Sequence, residues 1–163
     1  MRIIQSWDTA IKAGSGHDAS VCATFAQAPD GMHQLRDMAV LRLEYPELKR
    51  AVLQLASRYE PEVILIEDKA SGQSLIQDLR RETQLPIIAI MPQGDKLTRF
   101  ARITPMIEAG KVALPHVAPW LAAFEQEILS FPNGGHDDQV DALSQYLNWV
   151  RTQQWEGLRL RRV

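Results

Sequence analysis

Carboxylate residues stand at three points of the sequence where a predicted strand ends or a predicted helix begins. Asp8 follows one short apolar run, and Glu67 follows another that is apolar at all four preceding positions. The third group opens the last strong helical pattern of the chain and comprises Asp137, Asp138 and Asp141. A charged group at the end of a buried strand must be solvated, paired or bound to metal. Folding that brings Asp8, Glu67 and one of Asp137 or Asp138 together would create a site for divalent metal ions.

Such a set of acids is typical of enzymes that hydrolyse phosphodiester bonds with two metal ions about 3.5–4 Å apart. One ion generates the attacking hydroxide, and the other stabilises the leaving oxygen. Each acid also has a purely structural interpretation. Asp8 could be a turn or capping residue, and Glu67 could pair with Lys69. Asp137 and Asp138 could be the N-cap and first-turn residues of the last helix.

Three further residues have roles that the sequence leaves open. Asp141 lies four residues after Asp137 on the same helix face, so that it either enters the site or belongs to a solvated face. His136 could bind metal or support a ligand, although a histidine in this position more commonly caps or packs in a loop. Asp18 lies in a polar segment after the first predicted strand, and the sequence assigns no role to it.

Basic residues are the candidates for contact with DNA phosphates. They are Lys12, Lys69, Lys96, Arg99 and Arg102. Lys96, Arg99 and Arg102 recur every three residues near the start of one predicted helix, which is equally typical of a solubilising face. The net charge of the chain is −2. A nucleic acid would therefore have to bind to a local basic face rather than to the whole surface.

Length and composition indicate a soluble globular protein. The 163 residues suit one domain with a real core, and 45% of them are hydrophobic. The single cysteine excludes an internal disulfide and favours a reducing compartment. No apolar run approaches the ~20 residues of a membrane span, so no membrane association is predicted. The sequence contains neither a P-loop nor a complete dinucleotide-binding fingerprint.

The hydrophobic pattern predicts three strands joined by short turns, then alternating helices and strands, then helices. The strands are predicted at residues 3–8, 19–27, 32–43, 63–67 and 85–90, with an extended piece at 112–115. The helices are predicted at residues 46–59, just after Gly72, and at 95–109, 118–130 and 137–150. Pro105 is expected to kink or shorten the third helix. This order predicts an α/β fold, with a mixed sheet of five or slightly more strands flanked by helices.

Five segments of the chain closely resemble the C-terminal nuclease domain of phage terminase large subunits. They read SWDTA at 6–10, GSGHDASV at 14–21, VILIEDKASGQSLIQDL at 63–79, GDKLTRFARITPMIEAGKVALP at 94–115 and FPNGGHDDQVDALSQYL at 131–147. The single pieces are not specific, but their joint occurrence in this order is. The resemblance implies a ribonuclease-H-like fold and metal-dependent endonuclease activity on double-stranded DNA, with Mg²⁺ or Mn²⁺ as cofactor.

The resemblance also implies roles for individual residues. The catalytic acids and metal ligands would be Asp8, Glu67 and Asp138, with Asp137 as an accessory metal ligand. If the chain is such a nuclease, Lys69, Lys96 or Arg99 is expected to neutralise phosphate charge. In the infected host cell, whose cytoplasm is the implied location, the enzyme would cut concatemeric viral DNA during genome packaging.

Residues 1–152 are predicted to form the nuclease domain, and residues 153–163 to form a basic tail. In the family that the chain resembles, an ATPase motor precedes the nuclease on one polypeptide. That motor, a small terminase subunit and the portal are therefore the expected protein partners. Two other functions stay open. One is a different ribonuclease-H-like nuclease, such as a junction resolvase or a hybrid nuclease, and the other is a non-catalytic module that docks a motor onto DNA or a portal.

Overall fold

The computed structural model describes residues 1–10 and 19–157, without the side chains at 70, 71 and 154–157. Lys12, Asp18 and the end of the predicted tail lie outside the described residues. The described strands are β1 (Arg2–Asp8), β2 (Ser20–Gln27), β3 (His33–Leu41), β4 (Val63–Glu67), β5 (Ile87–Ile90) and β6 (Val112–Ala113). The described helices are α1 (Tyr45–Tyr59), α2 (Ala70–Glu82), α3 (Lys96–Glu108), α4 (Leu121–Ser130) and α5 (Asp138–Gly157).

The described strands form one mixed sheet in the order β5-β4-β1-β2-β3-β6. β1, β2 and β3 make the predicted antiparallel meander, while β4 runs parallel to β1 and β5 runs parallel to β4. The predicted extended piece at 112–115 supplies β6, which pairs in parallel with β3. The predicted mixed sheet with flanking helices is confirmed. β1 lies between two other strands, so its last residue is close to the ends of both.

Side chains of the central strands point alternately to the two faces of the sheet, and they belong to two hydrophobic clusters, one on each face. On one face, Ile4 and Leu65 pack against α5. On the other, Trp7 packs against α1 and α2. Ser6 shares the face of Ile4, because its hydroxyl donates a hydrogen bond to the carbonyl of Ala142 in α5 at 2.8 Å. The last residue of β1 therefore projects towards α5 as well.

Helix α5 is fixed on this face by large buried side chains. Tyr146 stacks on Phe25 of β2, with ring centroids 4.0 Å apart, and its hydroxyl lies 2.8 Å from Nδ1 of the buried His33. Leu143 and Leu147 are also buried in the same cluster. Burial of each such side chain is worth about 1.5–3 kcal/mol, so rotation of the helix about its axis would be costly. The orientation of the first turn of α5 follows from this packing.

Two strands are shorter than the sequence predicts. β3 ends at Leu41, two residues early, because its partner β2 begins at Ser20, which pairs with Leu41. β5 begins at Ile87, two residues late, because Pro86 has no N–H to donate to the sheet. Backbone pairing, which the hydrophobic pattern does not report, sets both limits.

One helix continues through an internal proline, and another runs further than the sequence predicts. α3 continues past Pro105, and the N–H of Ala109 donates to the Pro105 carbonyl at 3.0 Å, so the expected early end is wrong. The buried side chain of Ile103 anchors the helix before the proline. α5 continues from the predicted end at residue 150 to Gly157, and so passes through the predicted domain boundary. Among the described residues, no helix has the length and apolar character needed to cross a membrane.

Helix α4 is shorter and less buried than its predicted stripe suggests. It begins at Leu121, three residues later than predicted. Phe124 is buried and Ile128 packs against the same core, but Leu129 is 85% exposed. A helix at the edge of the core buries only one face. Phe124 and Ile128 are on that face, and Leu129, the residue after Ile128, points to solvent.

Candidate functional site

Asp8 and Glu67 end two adjacent parallel strands. β1 and β4 pair in register up to Trp7 and Ile66. One step further along both strands places Asp8 beside Glu67. Because side chains alternate, both carboxylates lie on the face of the sheet that α5 covers. The structure thus brings together the two acids that the sequence places at the ends of neighbouring strands.

Helix α5 brings a third carboxylate, Asp141, to the same place. Asp8, Glu67 and Asp141 line one cleft of about 510 Å³. The sequence prediction favoured Asp138 as the third acid and left Asp141 open. Asp138 adds to the negative charge around Asp8, but its effect is smaller than that of Asp141. Among the described residues, the lining of the cleft includes Asp141 and excludes Asp137 and Asp138.

Asp8 is the most strongly perturbed of the carboxyl groups in this cleft. Burial, followed by the charges of Asp141, Glu67 and Asp138, raises the pKa of Asp8 to about 8. Burial is also the main cause that raises the pKa of Asp138. Burial is the largest cause in both cases, and the charges of the neighbouring carboxylates raise the two pKa values further. A divalent cation would offset these carboxylate charges.

Two cations at the start of α3 neutralise part of this charge. Lys96 Nζ lies 2.7 Å from Oδ1 of Asp137 and 2.6 Å from Oδ2 of Asp141. Arg99 Nη2 lies 3.3 Å from Oδ1 of Asp141. The sequence predicts that Lys96 and Arg99 contact DNA. In the structure both are engaged with carboxylates of the turn at 137–141, which we call the acidic turn. Their contact with DNA stays a prediction.

The structure shows the surroundings of Lys69 and His136, two residues for which the sequence allows either a structural or a functional role. Lys69 Nζ lies 2.8 Å from Oε1 of Glu67, which is the salt bridge weighed as the structural role of that glutamate. The Lys69 side chain is 52% exposed, so its remaining hydrogen-bond donors face solvent. His136 is exposed in the loop before α5. Neither position excludes contact with a ligand.

A polar seam that sequence analysis missed joins α5 to the end of β1. Gln145 Nε2 donates to Oγ of Ser6 at 2.9 Å and to the carbonyl of Trp7 at 3.1 Å. The Ser6 hydroxyl in turn donates to the carbonyl of Ala142. These bonds attach α5 to Ser6 and Trp7, the two residues of β1 that precede Asp8. The sequence contains one indication of this role. Gln145 lies four residues after Asp141 and therefore on the same helix face.

Gly72 allows α2 to begin directly beside Glu67. A Cβ at this position would lie 2.1 Å from the carbonyl oxygen of Glu67, a separation that no side chain tolerates. The N–H of Gly72 donates to the carbonyl of Lys69 at 2.8 Å and closes the first turn. Glycine is therefore required here for close approach of the helix to the end of β4.

Glu127 of α4 caps the start of α5. Its Oε1 accepts hydrogen bonds from the N–H groups of Gln139 at 2.7 Å and Val140 at 3.1 Å, while its Oε2 accepts one from the Gln139 side chain at 2.6 Å. The first N–H groups of a helix lack partners within the helix, and a carboxylate there also interacts favourably with the helix dipole. Glu127 thus orders the turn that carries Asp138 and Asp141.

Arginines and an exposed methionine also line the cleft. Arg102, Arg151 and Met91 all contribute to its wall. Arg102 Nη1 donates to the carbonyl of Gln93 at 3.0 Å, and Arg99 Nη1 donates to that of Gly94 at 3.1 Å. These bonds tie the loop after β5 to α3. The lining of the cleft therefore combines acidic residues with arginines.

The chemistry of the acids in the cleft fits a divalent metal ion. Asp8, Glu67 and Asp141 offer hard oxygen ligands of the kind that Mg²⁺ prefers. Within residues 1–10 and 19–157, no three Asp, Glu, His or Cys side chains are already arranged around a common metal position. Both oxygens of Asp141 are engaged by Lys96 and Arg99. The donors are present, but one of them is held by the protein's own cations.

A mixed sheet with carboxylates at the ends of its central strands, covered by a C-terminal helix, defines a ribonuclease-H-like domain of the nuclease type. The chain belongs to the terminase RNase H-like domain family, which its residues 5–149 match. The resemblance and the fold class predicted from the sequence are thereby confirmed. No sequence among the curated proteins matches the chain.

Solved structures with this fold include terminase nucleases and a junction resolvase. The large terminase nuclease of thermophilic phage G20c with bound zinc has a TM-score of 0.70 at 16% identity, over 92% of this chain and 81% of that chain. The manganese-soaked human cytomegalovirus terminase nuclease domain has a TM-score of 0.59 at 11% identity, over 91% and 81%. T. thermophilus RuvC in complex with a Holliday junction substrate has a TM-score of 0.57 at 11% identity, over 94% and 96%. These likenesses establish the shared fold.

Proposed function

We propose that this chain is a metal-dependent endonuclease that hydrolyses phosphodiester bonds of double-stranded DNA. The observation that carries the proposal is the convergence of Asp8, Glu67 and Asp141 on one cleft, where the pKa of Asp8 is raised to about 8. A buried acid with a perturbed pKa among other acids in a cleft is a candidate functional group. Membership of the terminase RNase H-like family supports the same function.

The metal-holding residues would be Asp8, Glu67 and Asp138, as the sequence predicts, together with Asp141. Asp137 stays an accessory candidate. Two bound ions, Mg²⁺ or Mn²⁺, would supply activation of water and stabilisation of the leaving 3′ oxygen. The protein holds the acids in place, since β1 and β4 are hydrogen-bonded neighbours and α5 is pinned to both the sheet and α4. With its pKa near 8, the Asp8 carboxyl holds a proton at neutral pH and releases it when it becomes a ligand.

Phosphate groups of DNA would meet positive charge along the cleft. Arg102 and Arg151 line the cleft, and the half-exposed Lys69 stands beside Glu67. Lys96 and Arg99 would contribute whichever donors their ion pairs leave available. Because the net charge is −2, we expect weak affinity for duplex DNA that falls steeply with salt. We also expect slow, largely sequence-independent cutting at millimolar metal concentration.

The natural substrate that we propose is concatemeric viral DNA, cut during genome packaging in the cytoplasm of the host cell. Family membership supports this setting. The proposed partners are the terminase ATPase motor, a small terminase subunit and the portal. A motor that delivers duplex DNA would compensate for the weak affinity expected of a domain with net negative charge.

Junction cleavage is a second candidate function. It is favoured by the likeness to a RuvC structure that contains a Holliday junction substrate, although the TM-score is higher for the phage terminase nuclease. Cleavage rates on linear duplex, four-way junction and RNA–DNA hybrid substrates of equal length would separate the functions. Preference for the duplex is the expected result.

The test of the proposal is plasmid nicking with Mn²⁺ by the wild type and by Asp8→Asn. Removal of one charged group that acts in the transition state typically lowers a rate by about 100-fold or more. We expect at least that loss. Glu47→Gln is the matched control, since Glu47 is an exposed acid on α1, on the opposite face of the sheet. Nicking by Asp8→Asn at the wild-type rate would refute the assignment of this cleft.

A further inference from the structure

Both carboxylate oxygens of Asp141 are engaged by cations of α3 in this structure. Its Oδ2 lies 2.6 Å from Nζ of Lys96, and its Oδ1 lies 3.3 Å from Nη2 of Arg99. A divalent ion bound at Oδ2 would compete with the Lys96 ammonium for that oxygen and would be repelled by its charge at short range. Movement of one of the two cations away from Asp141 would therefore favour binding of the ion.

The two cations differ in how firmly they are held. The Arg99 side chain is 12% exposed and also donates to the carbonyl of Gly94 at 3.1 Å. The Lys96 side chain is 43% exposed and stands at the first residue of α3, on a flexible four-carbon stem. Lys96 can swing towards solvent without breaking a backbone contact. Movement of Arg99 would break its hydrogen bond to the loop after β5.

We propose that the Lys96 ammonium is a resident counter-cation of the acidic turn, which binds Asp137 and Asp141 and is released from Asp141 when a divalent ion binds. This inference rests on the proposed function, since it assigns Asp141 to the metal site. Lys96 is then a positioning residue. It keeps the acids of α5 from repelling one another before metal arrives, and it weakens metal binding because it competes for the same oxygen.

The test measures Mn²⁺ binding by titration calorimetry and melting temperature by thermal shift, using the full chain without DNA. Lys96→Met removes the charge and keeps most of the side-chain length. We expect its Kd for Mn²⁺ to be about tenfold lower than that of the wild type, since the competing charge is gone. Its melting temperature in EDTA should fall below that of the wild type, and the rise on adding Mn²⁺ should be larger.

Two variants serve as controls. Lys49→Met removes a pair of the same kind, because Lys49 Nζ lies 2.7 Å from Oε2 of Glu82 on the opposite face of the sheet. Its Kd for Mn²⁺ should equal that of the wild type. Lys96→Arg retains the charge, so its Kd should stay within about twofold of the wild-type value. Lys96→Gln replaces Lys96→Met if the latter does not fold.

A measurement on the wild type provides an independent test. The Cε signal of Lys96 in lysine-labelled protein should show restricted motion without metal and greater mobility after Mg²⁺ is added. The proposal is overturned if Lys96→Met binds Mn²⁺ with equal or lower affinity than the wild type, or if the Lys96 signal does not change. The proposed function survives either result, provided that wild type binds Mn²⁺ and Asp8→Asn does not. No Mn²⁺ binding by wild type or any variant would overturn both.

Discussion

Replacement of Asp8 by Asn should stabilise the metal-free protein at neutral pH. The ordinary pKa of this carboxyl is 3.8 and the folded value is about 8, so the folded state binds the proton more tightly than the unfolded state. Stability that depends on this group is complete below pH 3.8 and is lost as the pH rises towards 8. At pH 7 the interval above 3.8 is about 3 units, which at about 1.4 kcal/mol per unit gives about 4 kcal/mol. A neutral amide at residue 8 avoids this cost.

The assay is urea unfolding of the wild type and Asp8→Asn in EDTA at pH 4 and pH 7. The free energy of unfolding should be nearly equal at pH 4, and at pH 7 that of the variant should be higher by up to about 4 kcal/mol. Saturating Mn²⁺ should stabilise the wild type, by about 2.7 kcal/mol at 100 times the Kd, and leave the variant unchanged. Glu47→Gln should follow the wild type under all conditions. A variant that is less stable than the wild type at pH 7 in EDTA would contradict the reasoning.

Other predictions concern the residues that position the acids. Gly72→Ala should lower the free energy of unfolding by about 1–3 kcal/mol, because its Cβ would meet the Glu67 carbonyl, whereas Gly135→Ala, with open space around it, should cost little. Gln145→Ala should lose about 1–3 kcal/mol and reduce nicking, unlike Ala at the exposed Gln77; equal stabilities would argue against the polar seam. Glu127→Gln should cost about 1 kcal/mol in thermal unfolding, with Mn²⁺ affinity reduced, and unchanged unfolding would exclude a capping role.

The sequence by itself determined the strands and the two acids at their ends. A hydrophobic run followed by a carboxylate identifies a buried strand and the place where it stops, as at Asp8 and Glu67. Period-two alternation then fixes which face each side chain occupies, and β1 and β4 need only pair in parallel for the two acids to meet. Local pattern sufficed because a strand offers only two faces.

Tertiary structure alone decided which acid of α5 reaches the cleft and where the basic residues go. A helix can present any side of its circumference, and packing of Tyr146 against Phe25 selects the rotation that brings Asp141 inward. The pairing of Lys96 with Asp141 joins residues on two helices whose relative placement the sequence does not state. The space that requires Gly72 exists only once α2 and β4 are packed together. Each depends on contacts between distant segments, which a linear pattern does not contain.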